Sequence, residues 1–363
     1  MKQSRRTPWL LALLLAMPFV LQRLLAAAPD FTEMVLARRL FPILSAPLRT
    51  LSSLTPFSLT ELIVVSLPVW LAVLIFAGIH AGRQGRLKAW ARQAGLRFLW
   101  ILAIAAWLFM LLHGFNYARQ PVAQSFDLPV RQRSADEVAE MTLWVAEQAA
   151  TARLGCLLDD NGVFRLQQNQ AETLALASIG YDAASAHWPL LKGARARPKG
   201  VLLSHYWSYT GISGLYMPLL VEANVNVDQP GHAIPATVNH ELAHTIGFAR
   251  EDEAGFVGFL AGVANPSPDY VYSTYADALV HLLNSLVRVD PARYQAVTRE
   301  IPETLWRDLA AAHDYWQTFE GPVRETSTQV NDAFLKSNLQ ADGVYSYGRM
   351  VDLLLAWYEQ QVR

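Results

Sequence analysis

Three apolar runs, Trp9 to Ala28, Phe57 to Ile79 and Leu96 to Phe115, constrain this chain more than any other feature. Each reaches the roughly 20 residues that a helix needs to cross the hydrocarbon core of a bilayer. No water satisfies the backbone inside that core, so runs of this kind fold as helices. The first is preceded by Lys2, Arg5 and Arg6 and is interrupted only by Gln22 and Arg23. Its end, Ala26-Ala27-Ala28, resembles a signal-peptidase site, but Pro29 follows directly and opposes cleavage. An uncleaved anchor is the expectation.

The loop between the second and third runs holds Arg83, Arg86, Lys88 and Arg92 and no acidic residue. The positive-inside rule places it, with the basic N-terminus, in the cytoplasm. Three crossings then put everything after about Asn116 on the outer side. Arg38, Arg39 and Arg49 in the outward segment Pro29 to Pro56 weaken this signal without reversing it. Glu61, near the outer end of the second run, is read as snorkelling to the interface.

Composition agrees with a mixed protein. The 363 residues are 52% hydrophobic and 17% charged, too apolar for an ordinary soluble domain and too polar for a transporter. The expected organisation is a membrane region, 1–118, followed by a domain, 119–363, large enough for its own core. A formal net charge of −1 gives no reason for a nucleic-acid partner. Cys156 is the only cysteine, which excludes an intrachain disulfide and a cysteine-rich metal site.

Beyond the membrane region the pattern is mostly helical with a small sheet. Val138, Met141, Val145 and Ala149 recur at helical spacing between Ser134 and Arg153, with Ser134 and Glu137 forming a capping box. Lys192 to Lys199 is basic and reads as a loop before a strand at Val201 to Leu203. The glycines, Pro218 and β-branched residues of Gly211 to Asn226 suggest an edge strand or irregular hairpin. Pro235 opens a helix that runs through Ile246 and stops at Gly247. Further helices are expected over about Glu251 to Val263, Tyr275 to Val289, Glu303 to Phe319 and Tyr347 to Gln361.

The chemistry is concentrated in His240-Glu241-Leu242-Ala243-His244. Residues four apart sit one turn above each other on a helix, so both imidazoles can reach one cation. Glu241, about 100° round the same helix, is placed beside a water rather than on the metal. Zinc needs a third protein ligand, with a fourth position left for water. In metzincins a third His falls six residues after the second; here that position is Arg250, which cannot ligate. An acidic ligand from the following helix is left, as in gluzincins, and Glu251 and Glu253 compete for the role. Glu251 shares a face with Ala254, Gly255 and Gly258, small residues that permit close helix approach, and it resembles the Glu-x-x-Ala pattern of several gluzincin families. Glu253 lies deeper in the helix. Asp252 reads as a first-turn residue favoured by the helix dipole.

His80, His113, His187 and His313 lack a partner at ligand spacing and read as surface or flanking residues. His205, Tyr206, Tyr209, Tyr272 and Tyr275 are each able to donate a hydrogen bond to an oxyanion, but each alone reads first as a packing or surface residue.

The strand Gly211-Ile-Ser-Gly-Leu-Tyr216 with Glu222-Ala-Asn-Val-Asn226, then His240-Glu-Leu-Ala-His244 through Ala254, resembles an uncharacterised bacterial membrane-protein family known as a domain of unknown function. Pro56-Phe-Ser-Leu-Thr-Glu61, Val330 to Lys336 and Gly343-Val-Tyr-Ser-Tyr347 carry the same resemblance, which covers most of the chain. Gly255 departs from it, standing where that family usually has Asn.

The expected fold is therefore mainly α with a small sheet (α+β): three N-terminal transmembrane helices and a zincin-like domain. The expected function is a membrane-anchored zinc metallopeptidase acting on a peptide or protein substrate at a lipid bilayer. His240, His244 and Glu251 or Glu253 would hold zinc, and Glu241 would act as the general base. The alternative is a non-catalytic zinc-binding membrane sensor or scaffold. The two differ in whether the metal site opens on a groove or is closed by four protein ligands.

Overall fold

The computed structural model describes residues 7–362, so Lys2, Arg5 and Arg6 lie outside the described residues. Helices at Thr7–Ala26, Leu59–Arg83 and Leu87–Leu112 correspond to the three apolar runs, and all three are long and apolar enough to cross a membrane. The second exposes its apolar side chains along its length, Phe76 at 73%. A continuous surface of that kind belongs against lipid rather than water. The third helix begins at Leu87 rather than Leu96. Its first turns carry Lys88, Arg92 and Arg97, good helix formers that hydropathy overlooks.

The segment between the first two spans, unassigned from sequence, is helical over Pro29–Phe31, Thr32–Leu40 and Phe41–Ser53. It is fastened to the rest by Glu33. That carboxylate is buried and takes both Nε and Nη2 of Arg119 at 2.7 and 2.8 Å.

The sheet holds the second span by its N-terminus. Strands Leu157–Leu158 (β1) and Phe164–Arg165 (β2) form a small antiparallel pair. Lys199–Gly200 (β3), Gly214–Met217 (β4) and Glu222–Val225 (β5) form a sheet of order β3-β5-β4, with β5 parallel to β3 and antiparallel to β4. The expected irregular hairpin is thus β4–β5, with β4 on the edge. Glu222 on β5 accepts hydrogen bonds from the Leu59 and Thr60 amides at 3.0 and 2.8 Å and from Lys199 Nζ at 2.6 Å. A carboxylate there satisfies helix-end amides that otherwise lack partners and complements the helix dipole.

Glu61 does not snorkel. It is 7% exposed and accepts the Leu202 and Leu203 amides at 3.0 and 2.7 Å. Those same bonds hold 201–203 as a turn into the short helix Ser204–Ser208, so the strand is β3 and not Val201 to Leu203.

The core lies among the helices Ala135–Arg153, Glu251–Val263, Pro268–Val289 and Met350–Gln361, with Met141, Val145, Leu279 and Leu282 at its centre. Ser134 and Glu137 form the expected capping box. Pro268 starts its helix seven residues before Tyr275, its fixed φ suiting the first helical position. Three helices of eight residues or more after residue 118 lie outside the expected set, the shortest of them Pro291–Thr298. Gln170–Ala184 has its own capping box, Asn169 with Glu172. Pro322–Ser337 buries only Leu335 and leaves Val323, Val330 and Phe334 exposed.

Candidate metal centre

The helix Ala233–Thr245, called here the histidine helix, buries Ile234, Val238 and Leu242 at successive turns of one face. That face fixes its rotation and leaves His240, Glu241 and His244 on the wall of a cavity of about 800 Å³. Gly247 ends the helix with φ +94°, a conformation that favours glycine. The chain then turns back into the helix Glu251–Val263, which packs closely because a Cβ at Gly258 would stand only 3.1 Å from the His240 amide nitrogen.

This packing brings Glu251 to the histidines. Its Oε2 is 3.0 Å from His240 Nε2 and 3.5 Å from His244 Nε2, and the two Nε2 atoms are 3.2 Å apart. Donors of a tetrahedral ion bound at about 2.0–2.1 Å stand roughly 3.3 Å from each other. The three atoms therefore match one face of a coordination tetrahedron. Among the described residues this is the group of ligand-type side chains that could hold a metal ion.

The supporting contacts fit the same use. His244 Nδ1 lies 2.7 Å from the Phe248 carbonyl, which accepts its N–H and turns Nε2 towards the group. Burial opposes charge on His244, but the Glu251 carboxylate outweighs it and raises the pKa to about 9. Burial would likewise raise Glu251, yet the two imidazoles hold it far below the usual carboxylate range.

Glu241 is a different case. Burial, opposed in part by His240 and His244, pushes its pKa up to about 7. The Tyr216 amide on β4 hydrogen-bonds the carboxylate, while Oε2 has no hydrogen-bond partner among the described residues. Gly214 makes this fit possible, since a Cβ there would come within 2.4 Å of Glu241 Oε1. The group is thus held on one side and poised on the other to exchange a proton near neutral pH.

Of the two acidic residues weighed as third ligand, the structure brings only Glu251 to the histidines. Glu253 faces away, accepting the Val122 amide at 2.9 Å and Arg250 Nη1 at 2.8 Å. Arg250, at the metzincin ligand position, also binds the Tyr117 and Arg119 carbonyls and braces that loop. Gly255 lies beside His240: a Cβ there would be 3.9 Å from Nδ1 and 2.9 Å from Met350 Sδ.

The oxyanion donors considered from sequence are elsewhere. His205 pairs with Asp228 at 3.0 Å, and Tyr206 and Tyr209 are exposed. Tyr272 bonds Asp308, and Tyr275 packs on Trp144 and Phe259. His80, His187 and His313 are exposed, as read from sequence. His113 is not. It is buried beside His244, ring centroids 5.5 Å apart, and burial lowers its pKa to about 3, so it is neutral. Tyr216 stacks on His244, and Tyr347 stacks on His240 at 6.1 Å with its hydroxyl at the Glu251 and Asn331 side chains. Nothing in local spacing pointed to these three, which come from a span end, a strand and the turn after Pro322–Ser337. Tyr216 and Tyr347 lie in the motifs that carry the family resemblance, whereas His113 lies in none.

Fold and site define a mainly helical protein with three apolar helices able to span a membrane and a His-His-Glu group able to hold a metal ion. A family model described as a protein of unknown function (DUF3810) matches residues 37–355, and the chain belongs to that family. Nothing among curated proteins or solved structures matches it.

Proposed function

We propose that this protein is a membrane-anchored zinc peptidase, with His240, His244 and Glu251 as the metal ligands. The observation that carries this reading is a three-donor set with tetrahedral spacing that opens on a cavity beside a buried carboxylate of near-neutral pKa. Imidazole and carboxylate donors suit zinc, and three protein ligands are the usual complement of its catalytic sites. When bound, zinc supplies Lewis acidity, lowering the pKa of water towards neutrality and polarising a carbonyl.

The chain's own residues supply the rest. Glu241 takes a proton from the attacking water through Oε2 and returns it to the leaving amine. Tyr347, kept protonated chiefly by burial, donates its O–H to the oxygen of the tetrahedral intermediate. β4 is an edge strand on the cavity wall, and an extended peptide pairs with it beside the Tyr216 amide that Glu241 holds. His113 and Tyr216 exclude water behind His244.

The basic 83–92 loop and N-terminus support an inner-membrane orientation with this site on the outer side. The sensor or scaffold alternative calls for a closed four-ligand site, whereas three donors beside a cavity favour hydrolysis. The test is metal analysis of the full chain in detergent, joined to a peptide-library cleavage assay. One zinc per chain and chelator-sensitive cleavage are expected; zinc-replete protein that cleaves nothing would refute the peptidase reading.

A further inference from the structure

The cavity beside the metal donors is shared with a membrane helix. Phe109, in the last turn of the third span, and His113, one turn on, line it together with His240 and Glu241. Ring contacts run from the span to the donors: Phe109 to His113 at 5.8 Å, then His113 to His244 at 5.5 Å. Four residues of helix rise about 6 Å. The donor set therefore lies close to the level at which the span leaves hydrocarbon.

β4 connects those two levels. Its first residue, Gly214, lies against Glu241. Two residues on, Tyr216 stacks on His244 at 5.8 Å, and its hydroxyl donates to the Leu112 carbonyl at the end of the third span, 3.4 Å away. Met217 and Pro218 follow on the same wall as Phe109. At about 3.3 Å per residue, the strand covers roughly 10 Å between Glu241 and the membrane boundary.

The chemistry of the wall changes along that line. The bilayer end is apolar, built from Phe109, Met217, Pro218 and, on the helix Pro322–Ser337, Val330 and Phe334, whose ring lies 5.9 Å from that of Phe109. The far end lies by the start of the histidine helix, where the Ala236 amide bonds Ser273 Oγ at 2.9 Å. It is polar, with Thr237, Thr274, Asp277 and His281. An apolar end at the bilayer and a polar end towards water match a chain emerging from a membrane.

We propose that the substrate is a membrane-tethered polypeptide, held extended along β4 and cut within a few residues of its membrane anchor. This rests on the peptidase reading. The step is hydrolysis without redox: water oxygen bonds the carbonyl carbon, the C–N bond breaks, and Glu241 carries the proton to the amine.

The test uses the full chain, zinc-loaded, in vesicles of phosphatidylethanolamine and phosphatidylglycerol. The probes are randomised peptides, either free in solution or joined through a long spacer to a polyleucine transmembrane helix. Mass spectrometry locates the cuts, and a photo-crosslinking residue replacing Val330 in an E241Q background reports binding separately. Tethered probes are expected to be cleaved at least about tenfold faster than free ones, as raised effective concentration allows. Cuts should cluster next to the anchor. Equal cleavage of both probes, or cuts spread evenly along the spacer, would overturn the proposal and leave the peptidase reading standing. Crosslinking of the tethered probe without cleavage would keep membrane-side binding and overturn the peptidase reading. Neither cleavage nor crosslinking would overturn both.

Discussion

Replacing Glu241 by Gln separates a working carboxylate from a packing one. The side chain is 5% exposed, and burial raises its pKa from 4.5 to about 7. The sign follows from proton counting. Between those values the folded state binds more protons than the unfolded state, so stability falls as pH rises through the interval. The ionised carboxylate, fully developed above pH 7, then costs the metal-free fold about 3 kcal/mol, because each pH unit of that interval is worth about 1.4 kcal/mol. Gln keeps the shape and can still accept the Tyr216 amide, but it has no charge to bury. Any constant cost of the amide cancels when two pH values are compared.

Melting of metal-stripped full-length protein in detergent, at pH 4.5 and pH 8, measures this. The stability gap between E241Q and wild type should move by about 3 kcal/mol in favour of the variant, roughly 5 °C for a chain of this size. Cleavage by the zinc-loaded variant should fall about 10²- to 10⁴-fold, as losing a general base does, with zinc content unchanged. Wild-type cleavage rates in the variant would refute the base assignment. A gap that does not move with pH would refute the buried-charge account.

Three further outcomes are expected. Glu251→Gln should weaken zinc binding by more than the roughly 10–100-fold that losing a supporting hydrogen bond costs, whereas Glu253→Gln, which touches Arg250 and Val122, should keep zinc in a dialysis titration. Gly247→Ala places a side chain at φ +94°, 3.2 Å from the Phe41 ring. It should cost about 1–2 kcal/mol in a melt and, by shifting the Phe248 carbonyl from His244, reduce zinc affinity about tenfold or more in the same titration. Tyr347→Phe should lower kcat roughly 10²-fold with zinc content and melting little changed; an unaltered kcat would remove Tyr347 from the oxyanion role.

The family description assigns no activity, so function rests on side-chain geometry. Much of that geometry was legible locally. Apolar length marked the three helices able to span a membrane, a capping box marked Ala135–Arg153, and i, i+4 histidines marked one helix of the His-His-Glu group. The Glu251–Gly258 face predicted close helix packing, and the Gly258 approach to His240 shows it. These are properties of neighbours in sequence, where helical periodicity alone sets which side chains meet.

What tertiary structure decided is which distant groups converge. Glu251 and Glu253 are two residues apart and chemically equivalent, and about 200° of helical rotation separates them. Only the docking of this helix against its surroundings turns one to the histidines and the other to the Val122 amide. His113, Tyr216 and Tyr347 reach the site from a span, a strand and a distal turn, and no periodicity links such positions. Glu61 read as an interfacial charge because its partners, the Leu202 and Leu203 amides, lie 141 and 142 residues away. Sequence alone determined the three apolar helices and the pair of imidazoles; long-range packing determined the third facing side chain, the burial of Glu241 and the meeting of the third apolar helix with the site.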